Sequence, residues 1–174
     1  YTRKCPPGKL KILLSINPSL EILGTMIMRY ACLLVGGQQW GIPTEIYQYL
    51  VTHKQLTVEG FASPMNSRIL TISKDLNYCS LFYDTDKYYN SLGSFFSIDF
   101  TGKTVYVNPP YVNDIMNKVA DKVIQDCATV DNSNGVIRFF ITVSEWTDAE
   151  YYNKLMESKF KVQDYSFPKG EHYY

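Results

Sequence analysis

Two runs of strand-forming residues, Thr104-Val105-Tyr106-Val107 and Val136 to Val143, flank a long helical pattern that begins near Asn113. Within that pattern Ile115, Val119, Val123 and Cys127 share one face, with Met116, Ala120 and Ile124 beside them. Such a helix must lay its apolar side on a sheet. Two strands joined through a crossover helix pair in parallel, since antiparallel neighbours are closed by a tight turn instead. Val136 to Val143 is the most β-rich apolar run in the chain and reads as a central, buried strand.

The rest of the chain repeats this alternation. Asn17-Pro18 and Gly36-Gly37 bracket a helix on which Leu20, Leu23, Ile27, Tyr30 and Leu34 recur. A second helix is expected from Pro43 to about Lys54. Leu56 to Ala62 reads as a strand that runs into the turn Ser63-Pro64-Met65-Asn66, followed by a helix around Ser67 to Asp75. Strands are also expected over Tyr78 to Tyr83, ending in Asp84-Thr85-Asp86, and over Phe95 to Phe100. Thr147-Asp148-Ala149-Glu150 has the capping-box form, opening a helix with Tyr152, Leu155 and Met156, and Phe160 to Phe167 reads as a last strand. The order implies an α/β fold: a doubly wound, mostly parallel sheet with helices on both faces, Rossmann-like. Residues 1–40 are expected to form an N-terminal helical segment packed on a core made by residues 41–174.

Between the first β-rich run and its helix stands Asn108-Pro109-Pro110-Tyr111. The exocyclic amine of adenine is a poor nucleophile because its lone pair is delocalised into the ring. Two acceptors aimed at its N–H groups would return that density to nitrogen. The side-chain oxygen of Asn108 and the backbone carbonyl of Pro109 are suited to this, because each proline fixes its own φ and restricts the residue before it. Tyr111 would stack on the base. The plainer reading is a strand-to-helix turn without chemistry. Asn17-Pro18 shows that Asn-Pro alone is helix punctuation, so the second proline, the aromatic and the preceding strand carry the case.

Composition narrows the partners. Seventeen basic and seventeen acidic residues cancel, so the whole-molecule field gives no steering towards nucleic acid, and any contact with it must be local. Arg3, Lys4, Lys9 and Lys11 are the densest basic cluster and read equally as a solvated N-terminal segment. With 174 residues, 45% of them hydrophobic, the chain suits one compact domain. Cys5, Cys32, Cys79 and Cys127 lie far apart with only His53 and His172 beside them in the inventory, so no metal site is expected and the thiols read as reduced and intracellular. Leu20 to Val35 carries Glu21 and Arg29 and falls short of the roughly 20 residues a bilayer span needs, so no membrane contact is expected.

Ligands in doubly wound sheets bind at the carboxyl ends of the strands, where this sequence puts four polar loops. In that order they read Glu59-Gly60-Phe61-Ala62-Ser63-Pro64-Met65-Asn66; Tyr78-Cys79-Ser80 leading to Asp84-Thr85-Asp86 with Tyr88; Asp99-Phe100 and Asn108-Pro109-Pro110-Tyr111; and Glu145-Trp146. From about Leu20 to its C-terminus the chain resembles the cap-adenosine N6-methyltransferases of the phosphorylated-CTD-interacting-factor type. The resemblance implies a Rossmann-like class I methyltransferase domain over residues 41–174, whole or lacking the last strand, that transfers methyl from S-adenosyl-L-methionine to N6 of the 2′-O-methyladenosine next to an mRNA cap, releasing S-adenosyl-L-homocysteine. Relatives usually end the catalytic loop in Phe where this chain has Tyr111, and carry Arg where it has Leu92.

The resemblance gives each residue a role. Asn108, Pro109, Pro110 and Tyr111 would carry the transfer. Phe61, Ala62, Ser63, Pro64, Asn66, Asp84, Asp86 and Asn108 would hold the cofactor, with Asp84 favoured over Asp86 for the ribose hydroxyls and Asp99 as a competitor. Tyr111, Glu145 and Trp146 would line the substrate pocket. Without the resemblance, Phe61 to Asn66 is a plain turn, Trp146 caps the core and Glu145 faces solvent. Expected partners are a capped RNA 5′ end and a further domain or protein to grip it. The expected location is the nucleus in a cellular eukaryote or the cytoplasm for a viral protein. The alternatives are a DNA or other adenine N6-methyltransferase, for which duplex DNA requires base flipping, and an inactive relative that binds RNA or a partner.

Overall fold

The computed structural model describes residues 7–16, 19–33, 41–133 and 135–167. The expected helix boundaries at Asn17-Pro18 and Gly36-Gly37 lie outside these residues, as do Arg3, Lys4, Cys5 and His172. The chain is α/β: four strands, each parallel to the strand it is paired with, and helices between them. It separates into two compact units, Tyr1–Gly37 with Thr57–Ile98, and Gln38–Leu56 with Asp99–Tyr174.

In the first unit β1 (Val58–Glu59) pairs with β2 (Asn77–Tyr78), Val58 opposite Asn77 and Glu59 opposite Tyr78. Both are shorter than the apolar runs suggest. β2 ends because Phe82 turns the chain, its carbonyl accepting from the N–H groups of Thr85 and Asp86 at 3.2 and 2.9 Å to open the short helix α5 (Tyr83–Asp86). A left-handed Asn90 (φ 67°) then returns the chain alongside β2, where Leu92 donates to the Tyr78 carbonyl at 2.8 Å. Phe95 to Phe100 is not a strand. Ser94 caps a 3-10 turn over Phe95–Ser97, and Phe95 and Phe96 set their rings 4.9 and 6.1 Å from that of Phe61, so aromatic packing overrides the β propensity of the run.

Helix α1 (Pro7–Ile16) sets Leu13 fully inside a core with Leu23 and Met26 of α2 (Leu20–Leu33) and Tyr89. Burying side chains of that size contributes about 1.5–3 kcal/mol each. Lys9 is no solvated residue. It is 3% exposed and its ammonium donates to the carbonyl of Ser67, just ahead of α4 (Ile69–Ile72).

In the second unit β3 (Thr104–Val107) pairs with β4 (Arg138–Ile141) residue for residue, from Thr104 opposite Arg138 to Val107 opposite Ile141. The crossover between them is α6 (Asn113–Asn132), as the periodicity predicts. All four β3 residues are buried. β4 is not the central buried strand expected: Arg138 is exposed, the other three are half-buried, and among the described strands it is bonded only to β3 in this unit. Helix α3 (Thr44–Lys54) contributes Tyr47, whose ring stands edge-on to Tyr106 at 4.8 Å. Helix α7 (Glu150–Glu157) starts without the expected capping box; Ala149 holds the cap position and no side chain caps it. Phe160 to Phe167 forms no strand, and Val162 is 97% exposed. Among the described residues no helix is long and apolar enough to cross a membrane.

Candidate active site

The ladder between β3 and β4 runs to the end of β3, where Thr142 donates to the Val107 carbonyl at 2.8 Å. Asn108 is the next residue and is half-buried. Neither Pro109 nor Pro110 has an N–H to offer. The Pro110 carbonyl accepts from Val112 N–H at 2.7 Å, a tight turn that swings the chain into α6. Val112, in extended conformation, is the cap residue, and its carbonyl accepts from Ile115 and Met116 at 3.0 and 2.9 Å.

Tyr111 looks two ways. Its hydroxyl donates to Oδ1 of Asn108 at 3.4 Å, while its half-buried ring packs against Met116 and Ala120 of α6 and Tyr151 of α7. Tyr151 is wholly buried, which raises its pKa, and its hydroxyl donates to the Ser144 carbonyl at 2.7 Å. Trp146, 41% exposed, sets its ring edge-on to Tyr151 at 6.2 Å. Three of the expected residues, Asn108, Tyr111 and Trp146, thus meet around the cluster that Tyr151 forms with Met116 and Ala120. Glu145 stands apart, exposed and accepting from the hydroxyls of Tyr152 at 3.3 Å and Ser166 at 2.6 Å. Asp99 accepts from the N–H and hydroxyl of Thr101, at 2.9 and 2.7 Å, and those bonds hold its carboxyl below the ordinary range, as in an Asp turn.

In the first unit the turn after β1 closes on itself. Asn66 Oδ1 accepts from the backbone N–H of Ser63 at 2.6 Å and from its hydroxyl at 2.9 Å, and Ser63 Oγ accepts from Asn66 N–H at 3.2 Å. Side chains hold a conformation for which glycines are the usual means. Ser63 and Pro64 are buried, Phe61 and Ala62 half-buried, and Ala62 N–H donates to the Cys79 carbonyl at 3.0 Å. Ahead of the turn, the carboxylate of Glu59, 6% exposed, accepts from the hydroxyl of Ser67 and from the N–H groups of Arg68 and Ile69 at 2.8, 3.0 and 3.2 Å. Those N–H groups are among the donors a helix start leaves unsatisfied, so Glu59 fixes the far side of the turn.

The two acidic candidates separate sharply. Asp86 is wholly buried and accepts from the hydroxyls of Tyr30 at 2.5 Å and Thr85 at 3.0 Å. Burial and the Asp86 hydrogen bond push the Tyr30 hydroxyl's pKa far up. Asp84 is exposed, and one guanidinium nitrogen of Arg29 lies 2.7 Å from both of its oxygens, holding the carboxyl below its ordinary value. Asp84 therefore presents a carboxylate at the surface, and Asp86 is used in the interior. Among the described residues no group of His, Cys, Asp and Glu is placed to hold a metal ion.

Residues 19–174 match the protein family described as phosphorylated CTD interacting factor 1 WW domain. Over 142 residues the chain is 27% identical to a mouse protein, and over 140 residues 25% identical to a human one, each named mRNA (2′-O-methyladenosine-N(6)-)-methyltransferase. The alignments cover 79% of this chain and 19% of each relative, so the chain spans about a fifth of the length of the curated relatives it matches.

Proposed function

The chain belongs to the phosphorylated CTD interacting factor 1 WW domain family, and from that premise we propose that it transfers methyl from S-adenosyl-L-methionine to N6 of adenosine, at the 2′-O-methyladenosine beside an mRNA cap. The observation that carries the reading is the Asn-Pro-Pro-Tyr loop at the carboxyl end of β3, opening the crossover helix of a parallel pair. That is where a Rossmann-like sheet puts its chemistry. The name of the family points to a second activity, peptide recognition by a small module. A 20-residue crossover helix between parallel strands favours the methyltransferase reading, because it builds a sheet of the ligand-binding α/β type.

In this reading the step is a direct displacement at the sulfonium methyl. Its chief demand is that nitrogen and methyl stand in line at near-contact distance. Asn108 Oδ1 and the Pro109 carbonyl accept from the target amine, and the proton that the methylated amine sheds passes to water. Cofactor binding falls to Phe61 through Asn66 and to Asp84, whose exposed carboxylate can accept from ribose hydroxyls once Arg29 shares it. Asp86 acts at one remove, fixing α5 beneath Asp84. Trp146 offers a partly exposed ring to a base, and Glu145 an acceptor at its edge.

The test incubates the protein with labelled S-adenosyl-L-methionine and equal amounts of capped RNA starting with 2′-O-methyladenosine, uncapped RNA and duplex DNA, beside an Asn108→Ala variant. Label on capped RNA alone, lost by about 100-fold or more in the variant, is the expected result. Equal transfer by wild type and variant would remove Asn108 from the chemistry. Label on duplex DNA would move the substrate to DNA. Cofactor binding without transfer to any of the three would make the chain an inactive relative.

A further inference from the structure

An asparagine side chain commonly steadies itself by accepting from the backbone N–H two residues on. Asn108 is denied that turn, because both following residues are proline and carry no N–H. The first local donor is therefore at residue 111. There the structure supplies the tyrosine hydroxyl, 3.4 Å from Asn108 Oδ1. Its origin is fixed, since the ring packs on Met116, Ala120 and Tyr151, and Tyr151 is pinned by its own bond to the Ser144 carbonyl.

Resting on the methyltransferase reading above, we propose that Tyr111 is a positioning residue whose hydroxyl holds the Asn108 carboxamide with its oxygen set to receive the target amine. A carboxamide carries an acceptor and a donor on one freely rotating group, and half a turn about its last torsion would put N–H groups where an acceptor is needed. A phenol O–H directed at the oxygen opposes that half-turn. The contact is long for an O–H donor, and a carboxamide oxygen has two lone pairs, so receiving Tyr111 is compatible with receiving a substrate N–H as well. The ring face stacks or packs equally well in phenylalanine, so the hydroxyl is the only part of Tyr111 for which this role exists.

Tyr111→Phe isolates it, keeping the packing against Met116, Ala120 and Tyr151. With capped RNA and S-adenosyl-L-methionine, kcat is expected to fall about tenfold while KM stays within about twofold, the size of loss typical when a partner that orients a functional ligand is removed. Without any substrate, the side-chain amide pair of Asn108, assigned by its absence in Asn108→Ala, is expected to lose order in nuclear magnetic relaxation. If Tyr111→Phe leaves amide order and kcat as in wild type, the hydroxyl positions nothing and the inference fails. The amide measurement needs no turnover, so it decides the positioning role by itself, whereas a wild-type protein that methylates no substrate overturns the methyltransferase reading instead.

Discussion

Glu59 is a carboxylate almost without solvent, and it accepts from one hydroxyl and two backbone N–H groups ahead of a one-turn helix. Replacing it by alanine strands those buried donors, so Glu59→Ala is expected to lower unfolding free energy by about 2–3 kcal/mol, and Glu59→Gln, which keeps an acceptor, by about half as much. Chemical denaturation reads both. Gly93 is constrained as well, at φ +95°, where an added Cβ would sit 3.3 Å from the Tyr83 ring; Gly93→Ala is expected to cost about 1–2 kcal/mol by the same measurement. The strand-to-helix turn at Asn108 to Tyr111 could be read from the sequence because its signals are local, held in four consecutive residues. Glu59 could not, since its role exists only once the chain has doubled back from Ser67.

At the level of elements, two adjacent residues tie α2 to α5: Arg29 to Asp84 at the surface and Tyr30 to Asp86 inside. Asp84 titrates below its ordinary 3.8, first because of the Arg29 hydrogen bond. A carboxyl whose folded value lies under its unfolded one stabilises fully above the unfolded value and loses that contribution as pH falls through the folded one. Acid denaturation monitored by circular dichroism should therefore show loss of stability setting in below about pH 4, and Arg29→Ala should flatten the part due to Asp84. Tyr30→Phe removes a donor from a buried carboxylate and is expected to cost about 2 kcal/mol at neutral pH. Long elements with a regular period, α3 and α6, stood in the sequence almost to the residue. The short ones did not: β1 and β2 end where turns capture their ends, and the Phe95–Ser97 segment curls so that its rings meet Phe61. A basic cluster says nothing about whether a neighbouring leucine stripe has a core to enter.

The whole molecule carries no net charge, and its described ion pairs use up several of its lysines, Lys122, Lys154, Lys159 and Lys161 among them. In the proposed role, binding to single-stranded RNA should accordingly depend weakly on salt, with a log–log slope no steeper than about −2, against about −0.7 for each phosphate neutralised. Fluorescence anisotropy across a salt series checks this, and a slope beyond about −4 would reveal an extended basic track. Alternating strands and helices and parallel pairing followed from sequence order. The partition of the chain did not, because it depends on which distant segments meet: α3 comes early yet belongs with β3, through Tyr47 against Tyr106.

That partition has a bearing on manufacture of the chain. As it leaves the ribosome, α3 emerges with Tyr47 and Leu50 bare and stays so while all of β1, β2 and α5 are translated, until Tyr106 arrives to cover the ring. A shortened version starting at Thr57 would strip the second unit of that helix, and one ending at Ile98 would leave the helix without its strand.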